Sequence, residues 1–193
     1  MEAVFAYMAE HFDLPILAWI AEHLQTAFGD AVMPIITLLG DAGIFWIAMA
    51  VVLLFIPKYR KVGLSMGAAL VLGLLICNMT MKPLFARIRP YDLLAEQGVT
   101  IKLLIDAQHD FSFPSGHTLA SFEAATVLMI HNKKLGIPAM VLACLIAFSR
   151  LYLYVHYPTD VICSIILGIG IAFLGNFLVQ KAFAIYQSKK QTS

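Results

Sequence analysis

Five apolar runs, each bounded by polar or charged residues, organise this chain. They cover residues 43–57 ("GIFWIAMAVVLLFIP"), 62–81, 116–130, 135–152 and 160–180. A helix that crosses the hydrocarbon core needs about 20 mostly apolar residues. Some of these runs are shorter, so extension into the interface or local bilayer adjustment has to supply the difference. Ahead of them, residues 14–28 place Leu17, Ile20, Ala21, Leu24 and Phe28 on one helical stripe, with Glu22, His23 and Gln25 off it. That pattern predicts an amphipathic helix lying in the interface. A sixth crossing over residues 14–39 is the alternative. The predicted architecture is all-α: a polytopic transmembrane helical bundle of five or six spans with an N-terminal amphipathic interfacial segment. It forms one domain over residues 1–193, with 1–42 the interfacial or first-span segment, 43–181 the helical bundle and 182–193 a tail.

Composition agrees with a membrane protein. The 193 residues are 61% apolar and 13% charged, against roughly half apolar and a quarter charged in soluble domains. The net charge of +1 says nothing about partners, and there is no basic tract of the kind that binds nucleic acid. Cys77, Cys144 and Cys163 lie in apolar runs without CxxC spacing, which predicts packing roles. The basic clusters Lys58-Tyr59-Arg60-Lys61, His131-Asn132-Lys133-Lys134 and the chain end fall on one side by alternation. The positive-inside rule makes that side cytoplasmic. The loops after Tyr91 and after Leu153 then face outward.

At the outward ends of the runs lie Lys82, Arg87 and Arg89; Pro114-Ser115-Gly116-His117; and Ser149-Arg150, His156 and Asp160. Each has a bland reading. Lysine and arginine snorkel to headgroups, Ser115 and Asp160 suit helix N-caps, and single histidines are common at interfaces. Together they suit anion chemistry. Guanidinium and ammonium groups bind phosphate oxygens. Gly116 at a helix start lets backbone N–H groups approach an oxyanion. Two histidines can divide nucleophilic attack from protonation of the leaving oxygen. A carboxylate four residues after His156 can hold its tautomer. No metal-ligand spacing is present, and several cations suffice to neutralise a phosphoryl transition state.

Lys82, six residues, Arg89-Pro90; Pro114-Ser115-Gly116-His117; and Ser149-Arg150, five residues, His156, three residues, Asp160 resembles the three-part signature of the type 2 phosphatidic acid phosphatase (lipid phosphate phosphatase) family. Every signature position is filled. The resemblance implies that His156 is the nucleophile forming a phosphohistidine, that Asp160 orients it, and that His117 is the general acid. It implies that Lys82, Arg89, Ser115, Gly116 and Arg150 hold phosphate, with no metal and no cofactor. The partners implied are a phosphorylated membrane lipid and the bilayer; oligomeric state is left open. The soluble haloperoxidase branch of the superfamily is disfavoured by the hydrophobicity.

The short helix set resembles bacterial members acting on undecaprenyl diphosphate or phosphatidylglycerophosphate. The expected activity is hydrolysis of a lipid phosphomonoester or diphosphate, undecaprenyl diphosphate first, at the outer face of a bacterial cytoplasmic membrane with the C-terminus inside. Phosphatidylglycerophosphate or phosphatidic acid hydrolysis, lipid phosphotransfer, and non-catalytic lipid-phosphate binding or transport are the alternatives. Outside the signature, Arg87 reads as a headgroup contact, and His109 and Asp110 as solvated loop residues, with substrate selection the lesser alternative. Tyr152, Tyr154 and Tyr157 read as an aromatic belt, residues 99–105 as an interfacial lid, and Asn78 as packing. Glu123, a mid-span acid off the His117 face, has no assigned role.

Overall fold

The structure is a computed structural model and describes residues 2–191. It is all-helical, with no strand among the described residues. The N-terminal arm is α1 (Glu2–Met8), a π-helical turn (Ala9–Asp13) and α2 (Leu14–Leu24). After a break at Gln25 and Thr26 come α3 (Ala27–Leu38), a 3-10 turn (Asp41–Gly43) and α4 (Ile44–Phe55). Then α5 (Arg60–Gly73) runs into a π-helical stretch (Leu74–Met81) and the short α6 (Lys82–Phe85). The remaining helices are α7 (Pro90–Glu96), α8 (Gly116–His131), α9 (Lys133–Tyr152) and α10 (Pro158–Gln191).

Among the described residues, four helical stretches are long and apolar enough to cross a membrane: Ala27–Phe55, Pro57–Glu96, Lys133–Tyr152 and Pro158–Lys190. The run at 116–130 folds as α8, but differently from the others. Nearly all of Thr118–Leu128 is buried, because α8 is the central post against which α5, α9 and α10 pack. A helix surrounded by protein has no need of a lipid-facing surface, which accounts for its polar content (Thr118, Ser121, Glu123, Thr126). Its neighbours come close through small residues: a Cβ on Gly168 of α10 would sit 2.9 Å from the Leu119 carbonyl oxygen, and one on Gly175 would sit 2.8 Å from the Ala69 amide of α5. Such contacts substitute for the hydrophobic driving force that is missing between helices in lipid.

The stripe on the N-terminal arm is half right. Leu17 and Ile20 are buried, but the helix stops at Leu24 and Phe28 is exposed on α3. A single helix over 14–39 is therefore not formed. Thr26 caps α3, accepting from the Gly29 N–H at 3.1 Å, and its own N–H donates to the Tyr152 hydroxyl at 3.0 Å. Leu17 and Ala9 pack on Tyr154 and Tyr157, so the arm lies along the bundle end that carries the 153–157 turn.

Tyr152, Tyr154 and Tyr157 are buried by this arm, by α3 and by the 101–105 segment, and do not form an exposed belt. Ile101, Leu103, Leu104 and Ile105 pack against the cluster of Tyr91, Leu153 and Val155, so the expected lid is a fixed part of the bundle end. Residues 182–191, expected as a tail, continue α10; Thr192 and Ser193 lie outside the described residues.

Candidate active site

Three chain segments converge at the bundle end capped by the N-terminal arm. The π-helical stretch after α5 delivers Lys82, and the irregular segment behind it delivers Arg87 and Arg89. The loop ahead of α8 delivers Asp110, Ser112, Ser115, Gly116 and His117. The turn from α9 to α10 delivers Arg150, His156 and Asp160. Lys82, Arg89, Gly116, His117, Arg150 and His156 line one cavity of about 1250 Å³.

His156 is buried in the turn between α9 and α10. Its Nε2 faces Arg89 Nη1 at 3.4 Å. Arginine can only donate, so Nε2 is the unprotonated nitrogen and Nδ1 carries the proton. Nδ1 faces Ser112 Oγ at 3.4 Å and Asp160 Oδ2 at 3.5 Å. The Ser112 hydroxyl in turn donates to Asp160 Oδ2 at 2.5 Å. The imidazole is thus backed by Ser112 and Asp160 and presents a lone pair to the cation side of the cavity. Burial, and then the charges of Arg89, Arg150 and Lys82, hold its pKa well below 6.5 and keep it neutral.

Asp160 stands behind His156, outside the cavity. It accepts the Tyr157 N–H at 3.1 Å across the first turn of α10, half of a capping box. Its Oδ1 accepts from Arg87 Nη1 at 2.5 Å. Arg87 also donates to Thr159 Oγ1 at 2.8 Å and to Asp13 Oδ2 at 2.6 Å. The expectation that Arg87 touches headgroups is therefore overturned. It is buried between two carboxylates, stacked on Tyr157, and ties the N-terminal arm to the site.

Ser115 occupies the N-cap position of α8, yet its hydroxyl makes no cap bond. The hydroxyl is buried and paired with Thr118 Oγ1 at 3.0 Å, while its N–H donates to Ser164 Oγ at 2.8 Å. Both contacts lie off the cavity wall. Asn78 packs on Gly116: a Cβ there would lie 3.3 Å from Asn78 Nδ2. His117 is seated by Gly40, where a Cβ would sit 2.9 Å from the ring Cδ2, and its Nε2 lies 3.9 Å from Asp41 Oδ1.

Arg150 donates to Thr37 Oγ1 at 2.6 Å, while its Nε and Nη2 have no partner among the described residues. A buried guanidinium with two unsatisfied donors on a cavity wall is a site for an anion. Lys82 and Arg89 are occupied: both bond the carboxylate of Asp110, and Arg89 Nε also donates to the Asp110 carbonyl at 2.8 Å. Asp110 is accordingly not a freely solvated loop residue. Burial alone would raise its pKa, but Lys82 and Arg89 outweigh burial and bring it to about 2.

Asp13, Thr37, Asp41, Asp110 and Ser112 escape a reading based on motif spacing. Asp13 did leave a trace: it lies four residues from Ala9 and from Leu17 on the buried stripe, where an acid needs a partner.

A cage of cations beside a neutral, backed imidazole in a membrane-type helical bundle defines a class: a membrane protein with a cavity suited to an anion. The chain belongs to the PAP2 superfamily, which it matches over residues 58–184. It is 33% identical over 130 residues to the undecaprenyl-diphosphatase of Sulfolobus acidocaldarius, covering 67% of this chain and 61% of that protein. It is 31% identical over 145 residues to the undecaprenyl-diphosphatase BcrC of Bacillus subtilis, covering 75% and 72%. The crystal structure of a PAP2-type phosphatidylglycerolphosphate phosphatase from Bacillus subtilis superposes with a TM-score of 0.67 at 27% identity, over 86% of this chain and 84% of that one. In class, then, the chain is a lipid phosphatase.

Proposed function

We propose that this protein hydrolyses undecaprenyl diphosphate to undecaprenyl phosphate and inorganic phosphate, through a phosphohistidine on His156 and without a metal. The observation that carries the reading is the pairing of His156 Nε2, unprotonated and facing the cage, with the unsatisfied donors of Arg150 on the same cavity.

In the first step the Nε2 lone pair attacks the terminal phosphorus. The P–N bond forms as the bridging P–O bond breaks, and the leaving oxygen takes its electron pair and a proton from His117. In the second step water attacks phosphorus, gives a proton to His117, and the P–N bond breaks to restore His156. Lys82, Arg89, Arg150 and the N–H groups opening α8 at Gly116 neutralise the oxygens in both transition states. Ser112 and Asp160 hold the Nδ1 proton of His156.

A lipid substrate is supported by the cavity's shape. From the cage it continues as an apolar groove along Ile47, Val51 and Leu54 of α4 and Leu64, Gly67 and Val71 of α5. The undecaprenyl assignment rests on the two relatives of that name. The structural neighbour's name favours a second reading, phosphatidylglycerophosphate hydrolysis. The basic residues Lys58, Arg60, Lys61, Lys133 and Lys134 lie at the opposite end of the bundle, which supports a site on the outer face of a bacterial cytoplasmic membrane and a cytoplasmic C-terminus.

Phosphate release from a panel of detergent-solubilised lipids tests the substrate. His156→Ala must abolish turnover and the acid-labile phosphate trapped on the protein. Wild-type turnover in that variant rules out the mechanism.

A further inference from the structure

The cation cage already contains an anion of its own. Three cations, Lys82, Arg89 and Arg150, face the cavity, and the Asp110 carboxylate bonds the first two. It takes Nη2 of Arg89, while Nη1 of the same guanidinium faces His156. Its backbone is fixed separately, through its carbonyl to Arg89 Nε, and the neighbouring Ser112 N–H donates to the Arg87 carbonyl at 2.8 Å. The side chain, in contrast, is 55% exposed. It can therefore turn out of the cage by rotation about its own side-chain bonds while the loop stays in place, a fast motion for an exposed side chain.

We propose that Asp110 is a specificity-determining residue, a carboxylate that occupies the Lys82 and Arg89 side of the cage and yields it only to a phosphoryl group carrying more than one negative charge. This rests on the reading of the cage as a phosphate site. The physical reason is the surrounding lipid. A bilayer presents the cavity with a great excess of phosphodiester headgroups, each with one charge on phosphorus. A diester offers Lys82 and Arg89 no more charge than Asp110 already supplies, and it is bulkier. A terminal phosphate or diphosphate is close to dianionic, bonds both cations at once, reaches the open donors of Arg150, and wins the exchange. Discrimination comes from what the wrong ligand has to displace. After turnover the carboxylate returns and competes with inorganic phosphate for the same two cations, which speeds product loss.

The test uses the full-length chain in detergent, as wild type, Asp110→Asn and Asp110→Glu. Inhibition of lipid turnover is measured with a short-chain phosphatidylglycerol, a phosphodiester, and with inorganic phosphate; binding of inorganic phosphate is measured in parallel by titration calorimetry. If the carboxylate occupies the cage about nine-tenths of the time, its removal tightens competing anions by on the order of tenfold. Asp110→Asn should show that gain for the phosphodiester and a smaller one for inorganic phosphate, with a lower KM and no rise in kcat, and an equal gain for the two anions overturns the part of Asp110 in specificity. Asp110→Glu, which keeps the charge, should stay near wild type. Unchanged or weaker inhibition in Asp110→Asn overturns the proposal, as does an Asp110→Glu variant that behaves like the asparagine. The calorimetric arm separates the two layers. A wild type that neither binds inorganic phosphate nor releases it from any lipid overturns the cage reading itself. A wild type that does both, beside an asparagine variant that binds phosphate no better, overturns the role of Asp110 alone.

Discussion

Arg87 donates to Asp160 at 2.5 Å and, through its other nitrogen, to Asp13 at 2.6 Å, so one buried guanidinium joins the acid behind His156 to the N-terminal arm. Removing one partner of such a pair strands a buried charge, and here it strands two carboxylates. Arg87→Ala is expected to cost about 3–5 kcal/mol of stability, read as a lower unfolding midpoint in detergent. Turnover should fall by on the order of a hundredfold, the scale of a displacement of about 1 Å at the reacting centre. Asp13→Asn leaves the bond to Asp160 in place and should cost less on both measures. Equal losses in the two variants would show that Asp160 does not depend on Arg87.

Ser112 stands between His156 Nδ1 and Asp160 Oδ2. A hydrogen bond to a charged group is worth about 1.5–3 kcal/mol. Ser112→Ala should therefore lower kcat by roughly ten- to a hundredfold with little change in KM, since Ser112 does not line the cavity. Ser112→Thr keeps the hydroxyl and should restore much of the rate. A change in KM alone would place Ser112 in substrate binding.

The neutral state of His156 predicts a pH dependence. Its pKa lies well below 6.5 through burial and the charges of Arg89, Arg150 and Lys82, against the opposing charge of Asp110. In the proposed mechanism the unprotonated imidazole is the active form, so activity is lost as pH falls through that lowered value. After correction for ionisation of the substrate phosphate near pH 6, kcat/KM should show no fall on the acid side between pH 7 and 6.5, its acid limb lying further down, while the need for a protonated His117 adds a fall only toward higher pH. A bound phosphate dianion favours the imidazolium, so the acid limb of kcat should lie at higher pH than that of kcat/KM. An acid limb of kcat/KM at or above 6.5 would contradict the assignment.

Gly67 faces the groove, and a Cβ there meets nothing within 4 Å. Gly67→Phe is expected to fill the tail path without disturbing the packing. The ratio of kcat/KM for a long-chain lipid to that for a water-soluble phosphomonoester should drop by on the order of tenfold. An unchanged ratio would show that the tail takes another route.

Glu123 is 1% exposed, and its Oε1 has no hydrogen-bond partner among the described residues. Its carboxyl lies against α5 where Gly73 lacks a side chain. An apolar replacement of similar length, Glu123→Met, should raise stability by about 1–3 kcal/mol, measured as the unfolding midpoint. A lower midpoint would mean that the carboxyl makes a stabilising bond. Higher stability combined with slower turnover would mark Glu123 as kept for function.

Much of this was legible in the chain. The apolar runs at 43–57, 62–81, 135–152 and 160–180 match α4, α5 with its π extension, α9 and α10, because length and hydropathy are local properties. The grouping of Lys82, Arg89, His117, Arg150 and His156 was legible too, since alternating helices return to the same end of a bundle. The inner position of α8 was not, because burial by neighbours is a property of the packed bundle.

What the sequence determined by itself is the helical membrane architecture and which charged side chains meet at one end, since periodicity, run length and spacing encode both. The tertiary structure alone decided the pairings among those charges. Arg87 and Arg89 are two residues apart and similar in composition around them, yet one is buried with Asp13 and Asp160 and the other opens on the cavity beside Asp110. Asp13 and Asp110 are likewise both loop- or arm-borne acids in sequence, and only packing sends one to Arg87 behind His156 and the other to Lys82 and Arg89 on the cavity. The reason is physical: spacing along a chain sets which end of the bundle a charge reaches, whereas its partner depends on distances of a few ångströms that are set by helices far apart in sequence.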